Sequence, residues 1–241
     1  CHEVMLRVYY PTASGPKLGD HYYAPVLNDF IADLNKHLTL SKNDRAQLKE
    51  LYQIKTYNTK AAQPAKSKTF PVIFFIPGAG VQAQNYDNII NELVSHGYIV
   101  IAMNSVYVAG SIALLNGNIA NKYVHYQENV RFAEYSDLQY VFHKLQHLDY
   151  KKEISKTMDF KRIGFLAHSM GAMNIVYFLQ KNADFPHVKA AVFLDPGNVL
   201  GKKNYPIFID HYPAMTIWSS YFRKNMQGSM HLKVGDQEII L

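Results

Sequence analysis

Short apolar segments alternate with helical patterns along most of this chain, and the alternation restricts the folds that are open to it. Five segments have the length and apolar character of buried strands: residues 72–76, 99–103, 163–167, 190–194 and 206–209. Strands without a polar face are covered on both sides of their sheet. Between the first two segments, apolar residues recur over 86–94 at the spacing of a helix with one buried face. Repeated strand–helix–strand units predict an α/β fold, with a mostly parallel central sheet flanked by helices.

Length and composition exclude several classes of protein. A chain of 241 residues can bury a full core, so we predict a single domain over 1–241. The one cysteine, Cys1, excludes an intrachain disulfide and a cysteine zinc site. The 11 histidines show no H-E-x-x-H spacing, so we expect no metal site. The net charge of +6 comes from scattered residues rather than a basic patch, which argues against nucleic acid as a partner.

Cys1 also bears on where the protein acts. A cysteine at the start of a mature chain is typical of a bacterial lipoprotein whose signal peptide has been removed, although a trimmed boundary gives the same sequence. The first interpretation predicts an exported protein that is periplasmic, secreted or anchored by a lipid on Cys1. The second leaves a cytoplasmic location open.

Two segments leave the strand–helix rhythm. Apolar residues at helical spacing predict a pair of inserted helices over about 21–52, the second of them capped by Ser41 or Asn43. Residues 104–131 follow a predicted strand, contain two glycines and show no clean period. Because loops at that edge of an α/β sheet hold the binding pocket, we interpret 104–131 as a candidate lid.

The sequence A-H-S-M-G at 167–171 joins a predicted strand to a predicted helix. In the G-x-S-x-G nucleophile elbow, a strained turn exposes the serine oxygen, and the flanking residues must be small because strand and helix pass close by. Alanine satisfies that steric need at the first position. This pattern identifies Ser169 as a candidate nucleophile; the competing interpretation is a serine that caps the helix.

A glycine-rich turn, P-G-A-G at 77–80, follows the strand at 72–76. Its backbone N–H groups can face the crevice at the carboxyl edge of the sheet. We expect the N–H of Ala79, together with that of Met170 after the candidate nucleophile, to form an oxyanion hole. A phosphate-binding loop is the competing interpretation, but the further glycine and the G-K-[ST] sequence that it needs are absent.

An acid and a base must follow the serine in the chain order that this elbow implies. Asp195 and Asp210 each end an apolar run, so either can supply the carboxylate. His211 and His231 are the histidines that follow. His231 lies in a small-residue loop, G-S-M-H, that can bring it over the site, whereas His211 stays close to the end of its own strand. We therefore predict His231 as the base.

These motifs, in this order, resemble those of α/β-hydrolases related to platelet-activating factor acetylhydrolase and dienelactone hydrolase. The likeness includes L-R-V-Y-Y-P at 6–11, the oxyanion turn, S-H-G-Y at 95–98, D-P-G at 195–197 and G-S-M-H at 228–231. Two residues depart from the family pattern: Pro77 replaces a histidine before the oxyanion glycine, and Ala167 replaces the first elbow glycine. The chain also ends soon after His231, where family members continue with N-F-x-D and a helix.

The resemblance implies a serine ester hydrolase with Ser169, Asp195 and His231 as its triad and no cofactor. It favours Asp195 over Asp210 and implies a lipid or phospholipid acyl ester as substrate, with contact to a membrane surface. A dienelactone-hydrolase-like or small-molecule carboxylesterase shares the machinery, and an inactive hydrolase fold could serve as a binding module. The sequence gives neither the acyl-chain preference nor the oligomeric state.

Overall fold

A computed structural model of the protein describes residues 4–14, 31, 39–50, 53, 55–66, 68–106, 108–109, 112–114, 119–120, 128–146, 153–182, 187–196, 212–217, 219, 231–234 and 237–240. In chain order the strands and helices are β1 (Val4–Tyr9), α1 (Lys42–Glu50), β2 (Phe70–Ile76), α2 (Asp87–Ser95), β3 (Ile99–Ser105), β4 (Ile112–Ala113), β5 (Ile119–Ala120), α3 (Glu128–Gln146), β6 (Met158–His168), α4 (Met170–Lys181), β7 (Val188–Leu194), β8 (Ala214–Ile217), β9 (His231–Val234) and β10 (Gln237–Ile240). Short 3₁₀ turns at Ala83–Tyr86 and Glu153–Thr157 precede α2 and β6.

Six strands form the central sheet in the order β1-β3-β2-β6-β7-β8. Strand β1 pairs antiparallel with β3, and the remaining neighbours pair in parallel. The predicted α/β-hydrolase architecture, a mostly parallel sheet flanked by helices, is confirmed. All the carboxyl ends of the parallel strands therefore meet at one edge of the sheet, which is where ligands bind in open α/β folds.

Successive side chains of β2 serve the two faces of the sheet, as the period of a strand requires. Phe74 lies in the larger core cluster, with Phe142 of α3 at 5.1 Å and Phe165 of β6 at 5.7 Å between ring centroids. Phe75 faces the opposite side and packs in a second cluster with Ile90 of α2. Both side chains are fully buried. Covered faces on both sides explain why these strands are apolar at every position.

The strand beside β7 was not predicted from the sequence. A strand was expected at 206–209, which lies outside the described residues, whereas the structure places β8 at Ala214–Ile217. Its residues alternate between half-buried and exposed positions, so it lacks the uniformly apolar run that marked the other strands. Strand β9 lies next to β8 and pairs antiparallel with β10.

The two predicted insertions lie partly inside the described region. Helix α1 falls within the expected helical pair, and Ser41 caps it: the N–H of Asp44 donates to Ser41 Oγ at 3.1 Å, and the N–H of Ser41 donates to Asp44 Oδ2 at 2.8 Å. In the 104–131 segment, Val106, Ala109, Ile112 and Ala120 form a small buried apolar cluster of their own. Most of 21–40 and much of 107–127 lie outside the described residues, so the single-domain division and the lid stay predictions. Among the described residues, no helix combines the length and apolar character that a bilayer crossing requires.

Candidate active site

Ser169 occupies the turn between β6 and α4, as the elbow motif predicts. Its backbone has φ +49° and ψ −121°, a conformation that is strained for any residue other than glycine. The side chain is partly exposed and makes no capping hydrogen bond to α4. The oxygen of Ser169 is therefore not engaged in the helix cap that the competing interpretation required.

Gly171 shows why the elbow needs a small residue two positions after the serine. A Cβ atom at this position would lie 2.5 Å from the carbonyl oxygen of Ile76 and 2.6 Å from that of Pro77. Both contacts are with backbone and cannot be relieved by a side-chain rotation. The close approach brings the start of α4 against the end of β2, so the elbow and the P-G-A-G turn lie side by side.

The P-G-A-G turn is held by hydrogen bonds on either side of Ala79. The N–H of Gly78 donates to Tyr86 Oη at 3.4 Å, and the N–H of Gly80 donates to the carbonyl oxygen of Val108 at 2.7 Å. The intervening N–H of Ala79 has no acceptor among the described residues, and neither has the N–H of Met170 at the first position of α4. Ala79 packs against the buried cluster of Val108, Met170 and Met173. Ala79 and Met170, whose N–H groups are predicted to form the oxyanion hole, therefore belong to one apolar cluster, and neither N–H is paired within the described region.

Asp195 follows β7 directly, beside the strand that carries Ser169. The N–H of Ser169 donates to the carbonyl oxygen of Leu194 at 3.0 Å, so the residues before and at the elbow run alongside the end of β7. Asp195 has φ +39°, its N–H donates to the carbonyl oxygen of Ile217 at 2.8 Å, and its Oδ1 accepts a hydrogen bond from the N–H of Ser219. The backbone after β8 therefore fixes this carboxylate at the same edge of the sheet as Ser169.

The other predicted acid and base are less fully described. Asp210 and His211 lie outside the described residues, so the choice between Asp195 and Asp210 stays a prediction. His231 is the first residue of β9, opposite Ile240 in β10, rather than within a loop. Its side chain lies outside the described part of the chain, and its role as the base stays a prediction.

A contact that the sequence did not predict joins His168 to Tyr86. The two rings have centroids 5.5 Å apart, and Tyr86 Oη lies 2.7 Å from His168 Nδ1. Burial lowers the pKa of His168, while the negative charge of Asp195 acts in the opposite direction. The imidazole is therefore neutral near pH 7 and can accept the phenol proton at Nδ1.

A cavity of about 450 Å³ lies away from this site. Its lining includes Tyr9, which pairs with Val100 near the start of β3, and Ser95, the last residue of α2. It therefore opens at the amino edge of the sheet, opposite Ser169. Within the described part of the chain, no group of three or more histidine, cysteine, aspartate or glutamate side chains is arranged to hold a metal ion.

Comparisons with known proteins agree with this architecture. The sequence model of the family described as chlorophyllase matches residues 53–196, which include Ala79, Ser169 and Asp195 but end before His231. No individual curated protein sequence matches significantly.

The fold is shared, at low sequence identity, with a solved esterase structure. A ferulic acid esterase from Streptomyces cinnamoneus superposes with a TM-score of 0.65 at 18% identity, over 90% of this chain and 65% of that one. Est1E from Butyrivibrio proteoclasticus, solved with ferulic acid bound, gives a TM-score of 0.38 at 15% identity, over 54% of this chain and 44% of that one. An acylaminoacyl peptidase from Pyrococcus horikoshii gives 0.42 at 14% identity, over 65% and 28%. The chain thus spans 65% or less of the length of each of these proteins.

Proposed function

Because the chain belongs to the chlorophyllase family of α/β-hydrolases, we propose that it hydrolyses carboxylic esters through a serine acyl-enzyme. The observation that carries this proposal is the strained turn at Ser169, beside Ala79 and Met170, whose N–H groups have no acceptor among the described residues. A partly exposed serine next to backbone donors that can bind an oxyanion is the arrangement that acyl transfer requires.

In the proposed reaction, Ser169 Oγ attacks the ester carbonyl carbon while His231 accepts the hydroxyl proton. The N–H groups of Ala79 and Met170 donate to the oxyanion of the tetrahedral intermediate. Collapse of the intermediate breaks the ester C–O bond, and His231 returns the proton to the leaving alcohol. Water then attacks the acyl-enzyme by the same route and releases the acid. Asp195 orients the imidazole of His231 and stabilises its protonated form.

For the substrate, we favour a lipid or phospholipid acyl ester, bound from a membrane surface. Support comes from the resemblance to platelet-activating factor acetylhydrolase and from the apolar residues that 104–131 contributes near the carboxyl edge of the sheet. The name of the family adds chlorophyll to the esters to be assayed.

A small-molecule carboxylesterase, similar to dienelactone hydrolase, is the second candidate. The observation that favours it is the hydrogen bond of 2.7 Å between the N–H of Gly80 and the carbonyl oxygen of Val108. This bond, and the burial of the Val108 side chain against Met170 and Met173, tie the start of 104–131 to the oxyanion turn. The start of 104–131 is therefore a fixed part of the fold rather than part of a movable lid.

Ester hydrolysis by the wild type and by Ser169→Ala tests the proposal. A panel of p-nitrophenyl esters from acetate to palmitate, run beside phospholipid vesicles and chlorophyll, identifies the substrate class. We expect Ser169→Ala to lower kcat by several orders of magnitude without unfolding the protein. Ser95→Ala, at an exposed serine on α2, is the matched control and should retain full activity. A folded wild type that hydrolyses no ester in the panel would favour an inactive hydrolase fold that binds a partner.

A further inference from the structure

The N–H of Ala79 lies between two N–H groups of the oxyanion turn, those of Gly78 and Gly80, that are already hydrogen-bonded. Gly78 donates to the Tyr86 side chain and Gly80 donates to the Val108 backbone, so these two hydrogen bonds flank Ala79. The turn begins at Pro77, which has no N–H and a fixed φ. Residue 77 is also where the resembled family has a histidine, so this chain lacks that side chain beside the turn. The position of Ala79 must then be set by the groups that bind Gly78 and Gly80.

Of the two acceptors that bind the turn, the Tyr86 hydroxyl belongs to a side chain and the Val108 carbonyl to the backbone. Three contacts hold the Tyr86 side chain in place. Its ring packs edge-on against Phe75 of β2 at 4.8 Å between centroids, its Oη lies 2.7 Å from His168 Nδ1, and the same oxygen accepts the N–H of Gly78. In the tautomer of neutral His168 that carries its proton on Nε2, Nδ1 accepts the phenol proton, and the lone pairs of the phenol oxygen are left for Gly78. In that tautomer the hydrogen bonds run in one direction, from Gly78 through Tyr86 to His168.

His168 connects this chain of hydrogen bonds to the nucleophile. It is the last residue of β6 and precedes Ser169. A Cβ atom on Gly78 would lie 2.7 Å from His168 Nδ1 and 3.1 Å from Ser169 Cβ, so the turn and the elbow are in direct contact at Gly78. A shift of the turn by a few tenths of an ångström therefore changes the distance between the Ala79 N–H and the Ser169 oxygen.

We propose that Tyr86 is a positioning residue for ester hydrolysis, which holds the oxyanion turn through Gly78 and is itself oriented by His168. The inference rests on the proposed function. An oxyanion donor acts on the charge that develops in the transition state and contributes little to binding of the neutral ester. Loss of the Tyr86 hydroxyl should therefore lower kcat and leave KM nearly unchanged.

The test uses Tyr86→Phe, which keeps the ring against Phe75 and removes the hydroxyl. Removing an oxyanion donor outright typically costs about 10²–10³ in kcat, so loosening one of the two bonds beside Ala79 should cost about tenfold. We expect KM to stay within about twofold and affinity for a boronic acid, which forms a tetrahedral serine adduct, to fall by the same factor as kcat. Tyr10→Phe is the matched control, because the Tyr10 hydroxyl also forms a hydrogen bond with a backbone group: it donates to the carbonyl oxygen of Ala62 at 2.8 Å.

His168 variants separate orientation from packing. His168→Gln retains an acceptor for the Tyr86 hydroxyl and should keep most of the activity, whereas His168→Leu should reproduce the kcat loss of Tyr86→Phe. Adding Tyr86→Phe to His168→Leu should lower kcat by less than the product of the two single losses, since both changes remove the Tyr86–His168 hydrogen bond. Thermal melting of each variant identifies any that is unfolded.

Amide hydrogen exchange at Gly78 gives a readout that does not depend on catalysis. We expect slow exchange in the wild type and faster exchange in Tyr86→Phe, with no change in Tyr10→Phe. A Tyr86→Phe protein with wild-type kcat, boronate affinity and Gly78 exchange would overturn the inference. A wild type that neither hydrolyses esters nor reacts with the boronate would contradict the proposed function, and the Gly78 exchange rates would still decide whether Tyr86 holds the turn.

Discussion

Glu134 is a buried carboxyl group that makes the stability of the fold depend on pH. It lies on α3, is 3% exposed, and accepts a hydrogen bond from the side-chain amide of Asn174 on α4. Burial raises its pKa from 4.5 to about 8, and the negative charge of the neighbouring Asp137 adds to the effect. Near pH 7 the folded protein therefore keeps the proton on Glu134, whereas the unfolded chain ionises this group.

The direction of the pH dependence follows from this difference. Between about pH 4.5 and pH 8 the folded state binds one more proton at Glu134 than the unfolded state, so rising pH favours unfolding. At about 1.4 kcal/mol for each pH unit, the cost to the fold reaches about 3 kcal/mol at pH 7 and about 5 kcal/mol above pH 8. The contribution of protonated Glu134 to the free energy of unfolding is fully present below pH 4.5 and is lost as the pH rises through 8.

Glu134→Gln removes the ionisation and keeps an oxygen that can accept from Asn174. Measured by urea unfolding at pH 4, 7 and 9, the variant should match the wild type at pH 4 and exceed its free energy of unfolding by about 3 kcal/mol at pH 7. The exposed Glu153, changed to glutamine, is the matched control and should leave the free energy of unfolding close to the wild-type value at all three pH values. If the free energies of unfolding of Glu134→Gln and wild type differ by the same amount at all three pH values, Glu134 does not gain a proton on folding.

Three further predictions concern the elbow, the acid and the candidate lid. Asp195→Asn should lower kcat by about 10⁴, because an amide favours the wrong imidazole tautomer, and Asp210→Asn should cost far less; reversed magnitudes would assign the acid to Asp210. Gly171→Ala should prevent formation of the active fold, seen as a lost melting transition, whereas Gly164→Ala should melt near the wild type because its added Cβ comes no closer than 3.6 Å to its neighbours. If 104–131 is a lipid-facing lid, ester hydrolysis should rise when the substrate passes from monomers to vesicles, and Leu114→Asp should blunt that rise while sparing soluble acetate esters; rates that ignore the physical state of the substrate would favour the small-molecule esterase.

Much of the central sheet was predictable from the sequence because its four inner strands are largely covered on both faces. Strands β2, β3, β6 and β7 each contain a run that is apolar at every position, and such runs are readable without knowing their neighbours. The elbow was predictable for a related reason. Its small residues at 167 and 171 each lie two positions from Ser169, so the strained turn can be recognised from a short stretch of sequence.

Features that depend on distant contacts were not predictable. Strand β8 is short and only half-buried, so its four residues carry no distinctive period. Tyr86 and His168 are 82 residues apart, and nothing in their spacing indicates that their side chains meet. The same holds for Asp195 and the backbone N–H of Ser219, 24 residues apart. These contacts arise because the sheet brings loops from its carboxyl edge together.

Reaction with a fluorophosphonate, followed by mass spectrometry, tests the central claim that Ser169 is the nucleophile of an ester hydrolase. We expect one adduct per folded chain, located on Ser169, and a parallel loss of ester hydrolysis as the adduct accumulates. Ser169→Ala should take up no reagent, while Ser95→Ala should react at the wild-type rate. Folded wild type that stays unmodified, or an adduct on a different residue, would contradict it.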